Sequence, residues 1–98
     1  MEKFKPHHHL PTVKRLVGEG KVEIRQVALV GAAALGMGVQ DILDAIGALQ
    51  MADFYKSMTA YGDHQCWHDV YRPKTEAGSV YLKLTMLDDV IIVSFKEQ

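Results

Sequence analysis

Apolar residues recur three and four apart in the first half of the chain and alternate with polar ones in the second. This change of period predicts helices first and strands afterwards. Residues 10–18 read as a short helix, with Pro11 in its first turn, one stripe from Val13, Leu16 and Val17, and stops at Gly18 and Gly20. A brief extended piece, Lys21 to Ile24, follows. Residues 25–35 form a second helix, closed by Gly36 and Gly38. It is apolar on nearly all sides, which predicts a place deep in the fold. The third helix runs from Val39 to Gln50. Val39, Ile42, Leu43, Ile46 and Leu49 line one face, and Asp41 sits near the positive end of the helix dipole. Gly47 inside it costs about 1 kcal/mol relative to Ala, which suggests a close helix–sheet approach there.

From Asp53 onward the pattern is that of strands. Phe54 to Thr59 is β-prone, and Tyr61-Gly62-Asp63-His64 is a turn. Cys66 to Arg72 is a second strand, stopped by Pro73. After a turn at Thr75 to Gly78, Val80, Leu82, Leu84 and Met86 alternate with Tyr81, Lys83 and Thr85. Asp88-Asp89 leads into the last strand, Val90 to Lys96, in which Ile91, Val93 and Phe95 alternate with Ile92, Ser94 and Lys96. Helices followed by an antiparallel meander predict an α+β fold, with the helices on one sheet face and the other face partly open. The expectation is one domain over residues 1–98, with a helical half, 1–50, and a strand half, 52–97.

Composition supports a folded chain. Of its 98 residues 48% are hydrophobic and 23% charged, which argues against disorder. A chain of this size buries ~60–65% of its unfolded surface. A net charge of −1 gives no bulk attraction to nucleic acid. Any RNA contact must therefore rest on local charge. The lone Cys66 has no partner for an internal disulfide, and no zinc-binding spacing occurs. The longest apolar stretch, Val27 to Met37, falls short of the ~20 residues that span a bilayer. The N-terminus lacks the apolar run of a secretory signal. These features predict a cytoplasmic protein with no membrane contact.

Lys56, His68, Tyr81 and Lys96 fall in four successive strand-like segments. They donate protons, accept them or place positive charge beside an anion, an inventory that suits phosphate chemistry without a metal or other cofactor. RNA cleavage needs a base for the ribose 2′-hydroxyl, donors for the charge on phosphorus, and an acid for the leaving 5′-oxygen. His68 can serve as base or acid. Lys56 and Lys96 suit phosphate, Tyr81 can donate a hydrogen bond or stack on a base, and Arg72 can clamp a second phosphate. Alternation puts Tyr81, Lys83 and Lys96 on the open face, whereas parity alone leaves Lys56 and His68 undecided. By residue type alone, a solvated sheet face accounts for the same residues.

Further residues carry a resemblance. Asp53-Phe54-Tyr55-Lys56-Ser57-Met58-Thr59, Tyr61, Asp63-His64, Trp67 and Asp69-Val70-Tyr71-Arg72-Pro73 resemble the motility quorum-sensing regulator toxins, the MqsR family. So do Val80-Tyr81-Leu82-Lys83, Ile92-Val93-Ser94-Phe95-Lys96-Glu97 and, near the N-terminus, Pro6-His7, Leu10, Val13-Lys14 and Leu16-Val17. The resemblance covers essentially the whole chain. It implies a RelE-like ribonuclease fold and a toxin of a bacterial toxin–antitoxin pair. It further implies metal- and ribosome-independent cutting of single-stranded mRNA at GCU-like sites. The implied partner is an MqsA-type antitoxin, with a zinc-binding domain and a helix-turn-helix, through which the complex reaches operator DNA and represses its own operon. By the same likeness Lys56, Tyr81 and Lys96 fall on active-site positions. Glutamine also occurs in the family where this chain has His68. Since glutamine exchanges no proton near neutral pH, His68 is expected to position the phosphate or a base. The rival reading is a non-catalytic module that only docks its antitoxin.

Other candidates weigh less. His7-His8-His9 are expected in a mobile N-terminal arm, because neighbouring side chains diverge along an extended chain and do not converge on a metal. Cys66 has no nucleophile motif around it, and Trp67 reads as core or a sheet-face anchor. For Tyr55 and Met58, core packing and RNA contact remain equally open. Asp63, His64 and Asp69 could mimic a carboxylate–imidazole pair, but Asp63-His64 falls in a predicted turn, where local hydrogen bonds are expected.

Overall fold

The computed structural model describes residues 1–98. In chain order the elements are β1 (Glu2–Lys3), α1 (Leu10–Gly18), β2 (Val22–Ile24), α2 (Gln26–Ala33), α3 (Val39–Gly47), β3 (Phe54–Ala60), β4 (Asp63–Tyr71), β5 (Lys74–Thr75), β6 (Gly78–Met86) and β7 (Val90–Glu97). The α+β expectation holds. Six strands follow the order β1-β3-β4-β6-β7-β2, and β5 adds to β6 off that path.

The meander β3-β4-β6-β7 is antiparallel, as its alternation requires, but both edges differ from the sequence reading. Lys21–Ile24 becomes β2, which pairs parallel to β7 from Val22↔Val90 to Ile24↔Ile92. The N-terminus, expected to be mobile, instead pairs antiparallel with β3 through Glu2↔Met58 and Lys3↔Ser57. Its anchor is Asp69. This buried carboxylate accepts the backbone N–H of His7 at 3.0 Å, that of His8 at 2.9 Å, and the Ser57 hydroxyl. Asp69 therefore bonds across some sixty residues to the N-terminal arm. The arm is also held by His7, stacked on Trp67 at 5.4 Å, and by Lys3 Nζ, 4.2 Å from the Trp67 ring centre.

One sheet face carries the core. Val80, Leu82 and Leu84 from β6 and Val90, Ile92 and Phe95 from β7 meet Leu10, Val13 and Leu16 of α1 and Ile42 and Ile46 of α3. Strict alternation would send Ile92 and Phe95 to opposite faces. A register shift at Lys83/Leu84 pairs Leu82 with Phe95 but Leu84 with Ile92, so one extra residue in β7 lets both face the core. At the other turn β4 begins at Asp63, so His64 lies in a strand.

The second helix departs most from expectation. Only Ala28 and Ala32 of α2 are buried, while Val27 is 67% and Val30 59% exposed. An all-apolar sequence does not specify depth here, because the helix buries its two alanines fully and Leu29 only in part, and leaves its valines exposed. It lies on β7 beyond the end of β2, shielding a strand that would otherwise offer unpaired backbone. A Cβ on Gly31 would fall 2.1 Å from the Phe95 carbonyl oxygen, so the close approach is at Gly31. At Gly47 a Cβ would meet nothing within 4 Å. The helix also stops before residue 35, because Gly36 takes φ +74° and the Met37 N–H turns back to the Ala32 carbonyl.

Gly31→Ala is expected to destabilise the protein by at least ~2 kcal/mol, because backbone must move to admit the methyl. Gly47→Ala should be neutral or stabilising. Urea unfolding of both variants checks the contrast.

Candidate functional site

Cross-strand pairing builds the open face row by row, since directly opposed residues point the same way. One row runs through four strands as Lys56, Val70, Lys83 and Ser94. Two residues along in one direction stand Glu2, Met58 and His68, and in the other Tyr81 and Lys96. The structure thus brings Lys56, His68, Tyr81 and Lys96 onto one face, deciding the parity that the sequence left open. Val70 is fully buried yet lies outside the core cluster, which fits a floor position beneath this face.

Tyr81 reaches across that floor. Its hydroxyl makes a weak 3.9 Å contact with Met58 Sδ, two strands away, and Lys96 Nζ stands 5.3 Å from its ring centre. Met58 is therefore a half-buried member of the face. Tyr55 and Arg72 form an adjoining group: the Arg72 guanidinium lies 3.8 Å from the Tyr55 ring centre and Lys56 Nζ 5.2 Å from it. Arg72 remains exposed, but its planar group is stacked.

The charges of the face differ in character. Lys56 forms a 2.5 Å ion pair with Glu2, and its side chain is only 17% exposed. The hydrogen bond that Lys56 donates to the Glu2 carboxylate raises the Lys56 pKa above its ordinary value, so this lysine is held as a cation. Lys83 is shifted the opposite way. Burial lowers its pKa, and Lys96 nearby adds to the effect. His68 is likewise lowered by burial first, then by Lys83 and His8, against a smaller raising effect of Asp69. Near pH 7 His68 is consequently a neutral imidazole.

The sequence reading missed Glu2 altogether and the distinct character of Lys83. Glu2 had no local signal, because it meets Lys56 only through strand pairing across fifty-four residues. Lys83 was placed on the face by alternation, but nothing in the sequence marked it off from a solvated lysine. Cys66 is half-buried beside His68, and no group of three or more His, Cys, Asp or Glu side chains converges as a metal site. No helix is long and apolar enough to cross a membrane.

The sequence profile described as motility quorum-sensing regulator, toxin of MqsA, matches residues 5–97. The chain belongs to this family. Over all 98 residues of both chains it is 50% identical to the mRNA interferase toxin MqsR of Escherichia coli (strain K12). The family match thus begins after the edge strand that carries Glu2, which only the pairwise match to the relative covers.

Glu2→Gln removes the negative partner of Lys56, and the Lys56 pKa should fall towards the ordinary value of about 10.4. NMR titration of the lysine side-chain signals reads this shift directly; an unchanged Lys56 would show that the ion pair does not set its charge. A second expectation concerns stability. The folded pKa values of His68 and His7 lie below the ordinary value of about 6.5. Between the folded and ordinary values the unfolded chain binds more protons, so stability should fall as pH drops through that window. His68→Gln should reduce the slope as pH falls below the ordinary histidine value while leaving the part due to His7, as measured by urea unfolding.

Proposed function

We propose that this protein is an mRNA interferase, an endoribonuclease toxin that cuts messenger RNA and so stops translation and growth. The observation that carries this reading is the convergence of Lys56, Tyr81, Lys83, Lys96 and His68 on one open sheet face, in adjoining rows above the Val70 floor. The kinship with an mRNA interferase toxin supports it.

The reaction is attack of the ribose 2′-oxygen on the adjacent phosphorus. Its proton passes to a base, a new P–O bond closes a 2′,3′-cyclic phosphate, and the P–O bond to the 5′-oxygen breaks. The departing oxygen takes up a proton and leaves as a 5′-hydroxyl, so the chemistry needs no external reagent. Lys56, fixed as a cation by Glu2, and Lys96 stabilise the charge that gathers on the non-bridging oxygens. Tyr81, whose hydroxyl has only a weak sulfur partner, is the donor to the leaving oxygen. Lys83 takes the 2′-hydroxyl proton, since burial favours its neutral form. His68 accepts hydrogen bonds as a neutral ring and positions the phosphate or a base. Arg72 and Tyr55 extend the surface along the RNA, and Met58 packs beneath the Tyr81 hydroxyl.

The finer reading follows the family. Cutting falls in single-stranded RNA at GCU-like sites, with neither ribosome nor metal required. A cognate MqsA-type antitoxin, zinc-binding and carrying a helix-turn-helix, neutralises the toxin in the cytoplasm. The pair also represses its own operon, and the toxin meets operator DNA only through the antitoxin.

Purified protein should cut a GCU-containing RNA in EDTA. Lys56→Ala and Lys96→Ala should each slow cutting by about 10²-fold or more. Lys83→Arg, whose guanidinium stays protonated and cannot take up the 2′-hydroxyl proton, should do likewise, whereas His68→Gln should retain most of the rate. Absence of cutting by the wild type, or full rates in both alanine variants, would sink the assignment.

A further inference from the structure

The open face does not end at the reactive rows. Beside them lies a concavity of 370 Å³ whose apolar walls include Val27 at the start of α2, Cys66 of β4, Leu87 after β6 and Val93 of β7. Its polar members are His68, Arg25 and Thr85. We propose that this concavity is a nucleobase pocket, holding the base of a nucleotide next to the scissile phosphate. The proposal rests on the endoribonuclease reading and deepens it by locating where the RNA is read.

Four observations support that occupant. The first is continuity, because His68 belongs to the reactive face and also lines the concavity. Position is the second. The concavity reaches the Thr85–Ile91 pair, two residues along β6 from Lys83, or about 7 Å at the rise of a strand. That offset suits a neighbouring nucleotide, not the reacting one. Third, the lining matches the ligand: apolar walls take the flat faces of a heterocycle, while an imidazole and a guanidinium meet the hydrogen-bonding edge or the next phosphate. The size lies near the lower end of the ~300–1,000 Å³ range of ligand sites, which fits one base.

The fourth observation is exposed apolar surface at the rim. Val27 is 67% and Leu87 68% exposed, on two different elements, facing the same concavity. A stacked base would cover both. Arg25 Nε is 2.9 Å from Glu23, and the side chain remains more than half exposed. It thus has a fixed anchor without being withdrawn from solvent.

The test uses the full chain and an oligoribonucleotide with one mapped cleavage site. Bases flanking that site are removed one at a time, leaving abasic riboses. Loss of one particular base should lower wild-type kcat/KM about tenfold or more. Val27→Trp, which fills the concavity, should lower kcat/KM on intact RNA to a similar degree. For that variant, removal of the same base should then cost little further, because the two changes delete one interaction. Leu87→Trp gives an independent second filling from the opposite rim. Both positions are exposed, so unfolding midpoints should stay unchanged. If both tryptophan variants keep the wild-type kcat/KM and cleavage map, or if the losses multiply, the pocket assignment is overturned and the concavity is left to a protein contact. A wild type that cuts no RNA would instead overturn the endoribonuclease reading, and the pocket with it.

Discussion

The buried carboxylate of Asp69 sets the course of one whole side of the molecule. A charge without solvent must collect hydrogen bonds, or its desolvation is left uncompensated. Ser57 supplies one from the neighbouring strand, and the remaining donors are the backbone N–H groups of His7 and His8. Meeting that demand draws the N-terminal arm over β4, where His7 stacks on Trp67. The preceding residues are then placed beside β3, and Glu2 comes opposite Met58 on the open face. Asp69 itself faces the core, between His68 and Val70 on the other side of the same strand. One buried charge on the core face thus determines which charge stands beside Lys56 on the open one.

At the opposite side, backbone contact does comparable work. Gly31 brings α2 against the Phe95 carbonyl, and a Cβ there would also fall 3.2 Å from the Lys96 Cβ. The helix therefore braces the base of Lys96 while that side chain reaches towards Tyr81. The extra residue in β7 keeps Ile92 and Phe95 both in the core, yet leaves Ser94 and Lys96 on the open face. Between these two constraints the face acquires graded electrostatics. Lys56 is held charged by a carboxylate, whereas Lys83 and His68 are pushed towards neutrality by burial and by neighbouring cations. A face of equally solvated lysines would lack that division of labour.

Much of this was legible along the chain, and for local reasons. The alternation of Val80, Leu82 and Leu84 with Tyr81 and Lys83 is a property of strand geometry, so core and open positions on β6 could be assigned directly. The stripe of Ile42 and Ile46 located α3, and Asp41 does cap it, accepting the Gly38 N–H at 2.8 Å. Elsewhere the same rules fell short. In α2 every face is apolar, so periodicity carries no direction, and only the fit of Gly31, Ala28 and Ala32 against β7 decides which side is inward.

By itself the sequence determined the α+β order, the four meander strands, and the likeness that places the chain among the motility quorum-sensing regulator toxins. Each is carried by neighbouring residues or by residue identity alone. Tertiary structure decided the rest: the parallel edge strand β2, the docked N-terminus, the face occupied by Lys56 and His68, and the pairing of Glu2 with Lys56. These depend on register between distant strands and on how a buried charge is satisfied. Both are set by contacts across tens of residues, which no local pattern encodes.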